Sequence, residues 1–295
     1  NFQNLYLQWG DTNVAIFKKG NDLTHPILEP ILDDQLVTPD HIKKIEEKIQ
    51  RWFEETYLSK LDLSDQLKKF NSKPEERSFI FKIIENQYNF YQINILDEFK
   101  LIDEPQRKEI HSLNFRLGKN VIFNSELIRP EYMKLKFNLW NLYYNESLNI
   151  DEYIPKDGNA TLNIQNKLNE DLVTFLGFVS QNDLLIRLDI FNEFEKQLFK
   201  RENRGPFSLP MDLSNLLGIK KDKLISILKS KSFNIQGIAE NDLLISKKIK
   251  ANKTMELKQN KSKKVLKKPS KKVKKPSSKK LFNNPFDQLK NINVK

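Results

Sequence analysis

Between Ile42 and Phe53 apolar residues recur every three or four positions. Ile42, Ile45, Ile49, Trp52 and Phe53 fall on one side and Lys and Glu fill the other, which predicts a long amphipathic helix. Thr38 precedes it as a cap and Pro39 takes its first position, where a missing N–H costs nothing. A second helix is expected from near Pro74, with Phe79, Ile83, Ile84, Tyr88 and Tyr91 at spacings near four. A third is expected after Pro130, using Met133, Phe137, Trp140 and Tyr144. Residues 21–145 thus read as mainly helical, entered through an extended connector at Pro26 and Pro30. Ahead of them, Leu5-Tyr-Leu-Gln-Trp and Val14-Ala-Ile-Phe-Lys flank Gly10-Asp-Thr-Asn and predict a hairpin, expected to be the edge of a larger sheet.

A different pattern follows the stretch Asp151–Gly158, whose Pro155 and polar residues suggest a boundary. Thr174-Phe-Leu-Gly-Phe-Val-Ser and Leu184-Leu-Ile-Arg read as two strands around Gln181-Asn182-Asp183. Asp189 then caps a helix carrying Ile190, Phe191, Phe194 and Leu198, which Gly205-Pro206 stops. A short helix with Pro210 in its first turn faces Met211, Leu213, Leu216 and Leu217 inward and ends at Gly218. The next carries Leu224, Ile227 and Leu228 on one face, with Lys220, Lys221, Lys223, Lys229 and Lys231 off it. Asn234-Ile-Gln-Gly-Ile and Leu243-Leu-Ile-Ser close the unit as a hairpin around Glu240-Asn241-Asp242. Two helices joined at a glycine turn and followed by a hairpin are winged-helix-like, an arrangement that often lays its last helix on nucleic acid.

After Ser246 the apolar spacing disappears into Lys, Ser and Pro. Residues 247–295 hold 18 Lys and 2 acids, a net +16, whereas residues 1–246 hold 32 bases and 37 acids, a net −5. The whole-chain charge of +11 therefore sits in the tail. Such a segment repels itself and buries too little apolar area to offset an ordering cost of about 1 to 2 kcal/mol per residue, so disorder is expected. Lys263, Lys264, Lys267, Lys268, Lys271, Lys272, Lys274 and Lys275 are candidate phosphate contacts, and a merely solubilising terminus is the competing reading. Lys220, Lys221 and Lys223 could reach a phosphate or face solvent. Beyond the lysines, Phe282, Phe286 and Leu289 stand at spacings of four and three around Asn284-Pro285. They could form a short docking helix, tethered to a partner or to the parent protein, or a frayed end.

Catalytic signatures are missing from the chain. Its eight glycines are never closer than ten residues apart, which excludes a phosphate-binding loop, a dinucleotide glycine pattern and a nucleophile elbow. Gly118-Lys119 is followed by Asn120 and has no upstream glycine. The acidic pairs Asp97-Glu98, Asp103-Glu104 and Asp151-Glu152 lack the His or Asp of a helicase second motif and read as solvated charges. His25, His41 and His111 are scattered, and no metal site is expected. There is no cysteine, so disulfides, zinc fingers and thiol chemistry are excluded. No apolar run nears the roughly 18 residues of a membrane span and no signal peptide pattern opens the chain, which points to a soluble, cytoplasmic protein without membrane contact. Phe115, Phe123, Trp140, Tyr143 and Tyr144 could stack unpaired bases, although core packing is the better reading for most of them.

Several segments together resemble a known family. Gly177-Phe-Val-Ser-Gln-Asn-Asp-Leu-Leu-Ile-Arg-Leu-Asp-Ile-Phe-Asn-Glu-Phe and Phe207-Ser-Leu-Pro-Met-Asp-Leu-Ser-Asn-Leu-Leu-Gly are similar to the C-terminal region of bacterial helicase-related proteins of the mitochondrial degradosome type, superfamily 2 ATP-dependent RNA helicases. Leu113-Asn-Phe-Arg-Leu-Gly-Lys-Asn-Val-Ile-Phe-Asn-Ser-Glu-Leu-Ile-Arg-Pro resembles the family segment ahead of a helix containing Leu-Trp, here Leu139-Trp140. Trp9-Gly-Asp-Thr-Asn-Val-Ala-Ile-Phe resembles the strand pair after the motor, and Asn284-Pro-Phe-Asp-Gln-Leu a short ending after a basic tail. The pattern departs at Val121, where a second glycine is expected, and after Gly218, where Ile219 and Lys220 replace a small residue and Cys.

The resemblance implies an α+β chain, mainly helical with short hairpins. Residues 1–20 would be a hairpin ending a motor domain, 21–150 a helical domain, 151–246 the winged-helix-like module and 247–295 the basic tail. It implies a region that clamps single-stranded RNA while a preceding motor, holding ATP and Mg²⁺, does the work. The start at Asn1 fits a longer polypeptide, and an exoribonuclease is a candidate partner. A free-standing nucleic-acid-binding protein with a basic tail, associated with ribosome or chromosome, is the other reading. A phosphate-loop lysine encoded upstream of Asn1 would separate the two.

Overall fold

A computed structural model describes residues 2–3, 5–32, 38–70, 73–156, 158–239 and 242–247. The chain begins with a four-stranded antiparallel sheet in the order β1 (Phe2–Gln3), β2 (Tyr6–Trp9), β3 (Thr12–Lys18), β4 (Ile27–Pro30). The expected hairpin is β2–β3, turning at Gly10 with φ 59°. The connector at Pro26–Pro30 is itself a strand, pairing Phe17 with Leu28. Pro26 stands just before β4 and Pro30 ends it, and Pro30 fits because β4 lies at the sheet's edge, where a missing N–H breaks no ladder. Gly20 is required by close packing, since a Cβ there would lie 1.7 Å from the His25 carbonyl oxygen.

Helix α1 (Pro39–Phe53) follows and continues through a π-helical turn, Glu54–Leu58, into α2 (Ser59–Leu61). Of the predicted stripe only Phe53 is fully buried. Ile42, Ile45 and Ile49 are half-buried and Trp52 is 42% exposed, because β4 covers only one flank of the helix. Next come α3 (Ser64–Leu67) and α4 (Pro74–Glu85). The second predicted helix ends earlier than its apolar spacing suggests. Gln87 (φ 51°) and Tyr88 (φ 70°) turn left-handed, so Tyr88 folds back and Tyr91 falls in β5 (Phe90–Tyr91). Tyr88 gains partners by this. Its hydroxyl donates to Asp62 Oδ1 at 2.9 Å and accepts the Leu63 N–H at 2.9 Å.

Helices α5 (Ile95–Phe99) and α6 (Glu104–Ser112) lead to β6 (Phe115–Leu117) and β7 (Val121–Asn124), which form a small sheet in the order β5-β7-β6. Prolines occupy the first turn of α1, α4, α6 and α7 (Pro130–Tyr144). Asn94, Asn114, Asn145 and Asn182 hold left-handed conformations at turns and at the end of α7, a role asparagine fills more readily than other non-glycine residues.

A 3₁₀ turn at Ile150–Glu152 precedes β8 (Thr161–Asn163) and α8 (Glu170–Leu176), which Asn169 caps through its side chain. Thr174-Phe-Leu is thus the end of a helix and not a strand. Gly177 (φ 89°) stops that helix, and the strand begins only at Phe178. The sequence pattern misses this because Val173, Phe175, Leu176 and Phe178 are all buried, so neither period shows. β9 (Phe178–Gln181) and β10 (Leu184–Arg187) form the expected hairpin, with β8 on the far side of β10.

Helix α9 (Leu188–Glu202) starts one residue before Asp189. That carboxylate lies in the first turn, pairing with Arg187 at 2.7 Å and accepting the Ile190 N–H. Then come β11 (Phe207–Ser208), α10 (Met211–Leu217), α11 (Lys221–Ser230), β12 (Phe233–Ala239) and β13 (Asp242–Lys247), with strand order β11-β13-β12. Pro210 stands just before α10. Met211 is 51% exposed, not inward, since the face of α10 that meets α9 is set by Leu213 and Leu217.

The described residues therefore combine helices with small antiparallel sheets, and among them no helix is long and apolar enough to cross a membrane. Three apolar clusters fill the interior. One packs the first sheet and the helices up to α7, one gathers around α9 to α11, and one lies between α7 and α8.

Candidate nucleic-acid interface

The lysines singled out by spacing stand around the turn between α10 and α11. Gly218 ends α10 in the left-handed conformation (φ 63°), and the Ser214 hydroxyl donates to the Ile219 carbonyl, fixing the turn. Leu213, Leu217, Leu224, Ile227 and Leu228 are wholly buried, so both helices show their polar faces outward. Lys220 is exposed and Lys221 half-buried. Lys223 forms an ion pair with Asp183 in the β9–β10 turn, and Asn182 of that turn donates to Ser226 Oγ at 2.9 Å. The outer face of α11 at Lys223 and Ser226 is thus already engaged within the chain. A cavity of about 530 Å³ beside it is bordered by Lys220, Lys223, Thr161, Asn163 and Asn215.

A larger cleft, about 1030 Å³, lies between the β5–β7 region and the α9–β13 module. Its floor is tied by Glu195 of α9. One carboxylate oxygen accepts from Lys231 Nζ at 2.6 Å and the other from Asn120 Nδ2 at 3.0 Å, so α9, the end of α11 and the β6–β7 turn meet on one side chain. Lys231 also lies 4.6 Å from the centre of the Phe191 ring, a cation–π contact that helps hold a half-buried ammonium. Five lysines line the cleft against three carboxylates. Lys247, on its rim, pairs with Glu202 and is the last residue of β13. Sequence reasoning missed this site because its walls are far apart in the chain. The one trace in the sequence is that Phe199 falls just off the stripe of Phe191, Phe194 and Leu198.

Of the aromatics considered for stacking, Phe115, Phe123 and Trp140 are buried in the core, as their spacing suggested. Tyr144 is exposed and packs 4.4 Å from Trp140, while Lys19 lies 4.8 Å above the half-buried Tyr143. Gly118-Lys119 forms the turn between two antiparallel strands, with Asn192 Oδ1 where a Cβ on Gly118 would be. A strand and not a helix follows, so this glycine offers no helix N-terminus to a phosphate and does not fit a nucleotide loop. The tail lysines Lys263, Lys264, Lys267, Lys268, Lys271, Lys272, Lys274 and Lys275, and the apolar set Phe282, Phe286 and Leu289, lie outside the described residues. Comparison with protein-family models, with curated proteins and with solved structures finds no match to this chain.

Proposed function

We propose that this chain is the C-terminal, RNA-binding region of a cytoplasmic ATP-dependent RNA helicase, with ATP and Mg²⁺ held by a motor elsewhere in the parent protein. The observation that carries the reading is the junction of two features. A module with the element order helix α9, strand β11, helices α10 and α11, hairpin β12–β13, and strand order β11-β13-β12, supports a winged-helix assignment. Its closing strand runs directly into the segment that carries the chain's net positive charge. Lysines there release counterions from phosphates, while the body at −5 does not attract a polyanion by net charge. Lys220 and Lys221 add to the basic surface, and Lys223 contributes less because Asp183 neutralises it.

The test is a salt titration of single-stranded RNA binding by the full chain and by a chain lacking residues 248–295. Each phosphate contact contributes about 0.7 to the slope of log affinity against log salt for single strands. Deletion is expected to flatten the slope and remove most of the affinity. An unchanged slope would show that the tail is a solvated terminus.

A further inference from the structure

We infer that the cleft between the β6–β7 turn and α9 seats the unpaired bases of a single RNA strand, with Phe199 as the stacking platform and Lys119, Lys196 and Lys247 along the path of the phosphates. The inference rests on the RNA-binding reading above and assigns a site that the lysine pattern did not indicate.

Phe199 is 44% exposed although it belongs to a helix whose Leu188, Phe191, Phe194 and Leu198 are buried, and Ile93, 69% exposed, borders the same cleft. Single exposed apolar side chains are common on this surface, but two that border one cleft offer a patch for a ligand to cover. A base does so without regard to sequence, because every base has a π face. Lys119 Nζ lies 4.8 Å from the centre of the Phe199 ring, so a cation and a stacking surface already stand together. The Asn192 amide in the same cleft has its oxygen packed against Gly118 and no hydrogen-bond partner among the described residues, which leaves its N–H donors for a base edge. The three carboxylates do not oppose a phosphate fully. Glu195, Glu202 and Asp97 are each ion-paired, to Lys231, Lys247 and Lys100. Lys119 has no ion-pair partner among the described residues and is the main phosphate contact, while Lys196 and Lys247, paired with Glu193 and Glu202, contribute less. An acidic peptide would use the lysines but bring no planar face to Phe199, so the observations favour a strand with bases.

The experiment uses the full chain and a 12-nucleotide single-stranded RNA carrying 4-thiouridine, at a salt concentration high enough to weaken the tail's contribution. Cross-links mapped by mass spectrometry are expected on the β6–β7 turn and on α9. Phe199→Ala is expected to lower affinity about tenfold and Phe199→Tyr to restore it, with melting temperatures only slightly changed, since nearly half of the residue is exposed. Cross-links confined to residues 248–295, or full affinity in Phe199→Ala, would overturn the cleft assignment while leaving RNA binding in place. Displacement of the RNA by a glutamate-rich peptide at equal concentration would give the cleft to an acidic partner instead. Failure of the full chain to bind RNA at any salt concentration would overturn both readings.

Discussion

Lys136 of α7 carries its side-chain nitrogen into the packing between α7 and α8, with 1% of the residue exposed. A single carbonyl, that of Phe175, accepts from it at 2.5 Å, and the Phe175 ring centre lies 5.2 Å away. That carbonyl lies in the last turn of α8, the negative end of the helix, which favours a cation. Burial nevertheless dominates and pushes the lysine down to about 7 from 10.5. The folded chain therefore binds fewer protons than the unfolded chain between those two values, so stability rises with pH across that window, and the full penalty of the buried charge is present below pH 7. Calorimetry from pH 6.5 to pH 9 is expected to show a rising melting temperature. Lys136→Met is expected to remove most of that rise and to stabilise the protein at pH 6.5 by on the order of 1 to 4 kcal/mol, as apolar replacements of buried charges often do. An equally steep pH dependence in the variant would assign the effect to other groups.

At the level of single elements, the contact of the β9–β10 turn with α11 decides how that helix can be used. Lys223 is partly exposed and paired, and surface ion pairs contribute about 1 kcal/mol or less. Lys223→Gln is thus expected to change urea stability by no more than that and to leave RNA affinity, read by fluorescence anisotropy, within twofold. A tenfold loss would show that Lys223 leaves Asp183 for a phosphate. Elements with one dominant period were legible in the sequence: α7, α9 and α11 lie where apolar spacing and flanking Pro or Gly placed them. Segments buried on all sides were not, as Thr174–Leu176 shows, and neither were turns made by asparagine, since Asn94 and Asn114 look like ordinary polar residues until their backbone angles are known. Lys220 at the start of α11 and Lys221 and Lys223 in its first turn lie off the apolar face, as their spacing placed them. The cleft was not, because Phe199 and Lys119 meet only through tertiary packing.

For the molecule as a whole, the absence of a glycine-rich phosphate loop from the sequence, together with the strand that follows Gly118-Lys119, sets an expectation for catalysis. Purified chain is expected to release no phosphate from ATP above background, with or without RNA, in a phosphate-release assay; RNA-stimulated turnover would refute this. The packing of β7 and α7 bears on how the protein opens. Val121 and Phe123 of β7 belong to the cluster around α9, and Ile122, between them, belongs to the cluster under the first sheet. Tyr132, Leu135 and Leu139 of α7 likewise serve that first cluster, while Met133, Phe137 and Trp140 serve the one against α8. A strand and a helix that each have two buried faces cannot lose one neighbour without wetting the other side. The segments on either side of Asp151–Gly158 are therefore expected to open together, and severing the chain there would leave each fragment with an apolar wall facing water.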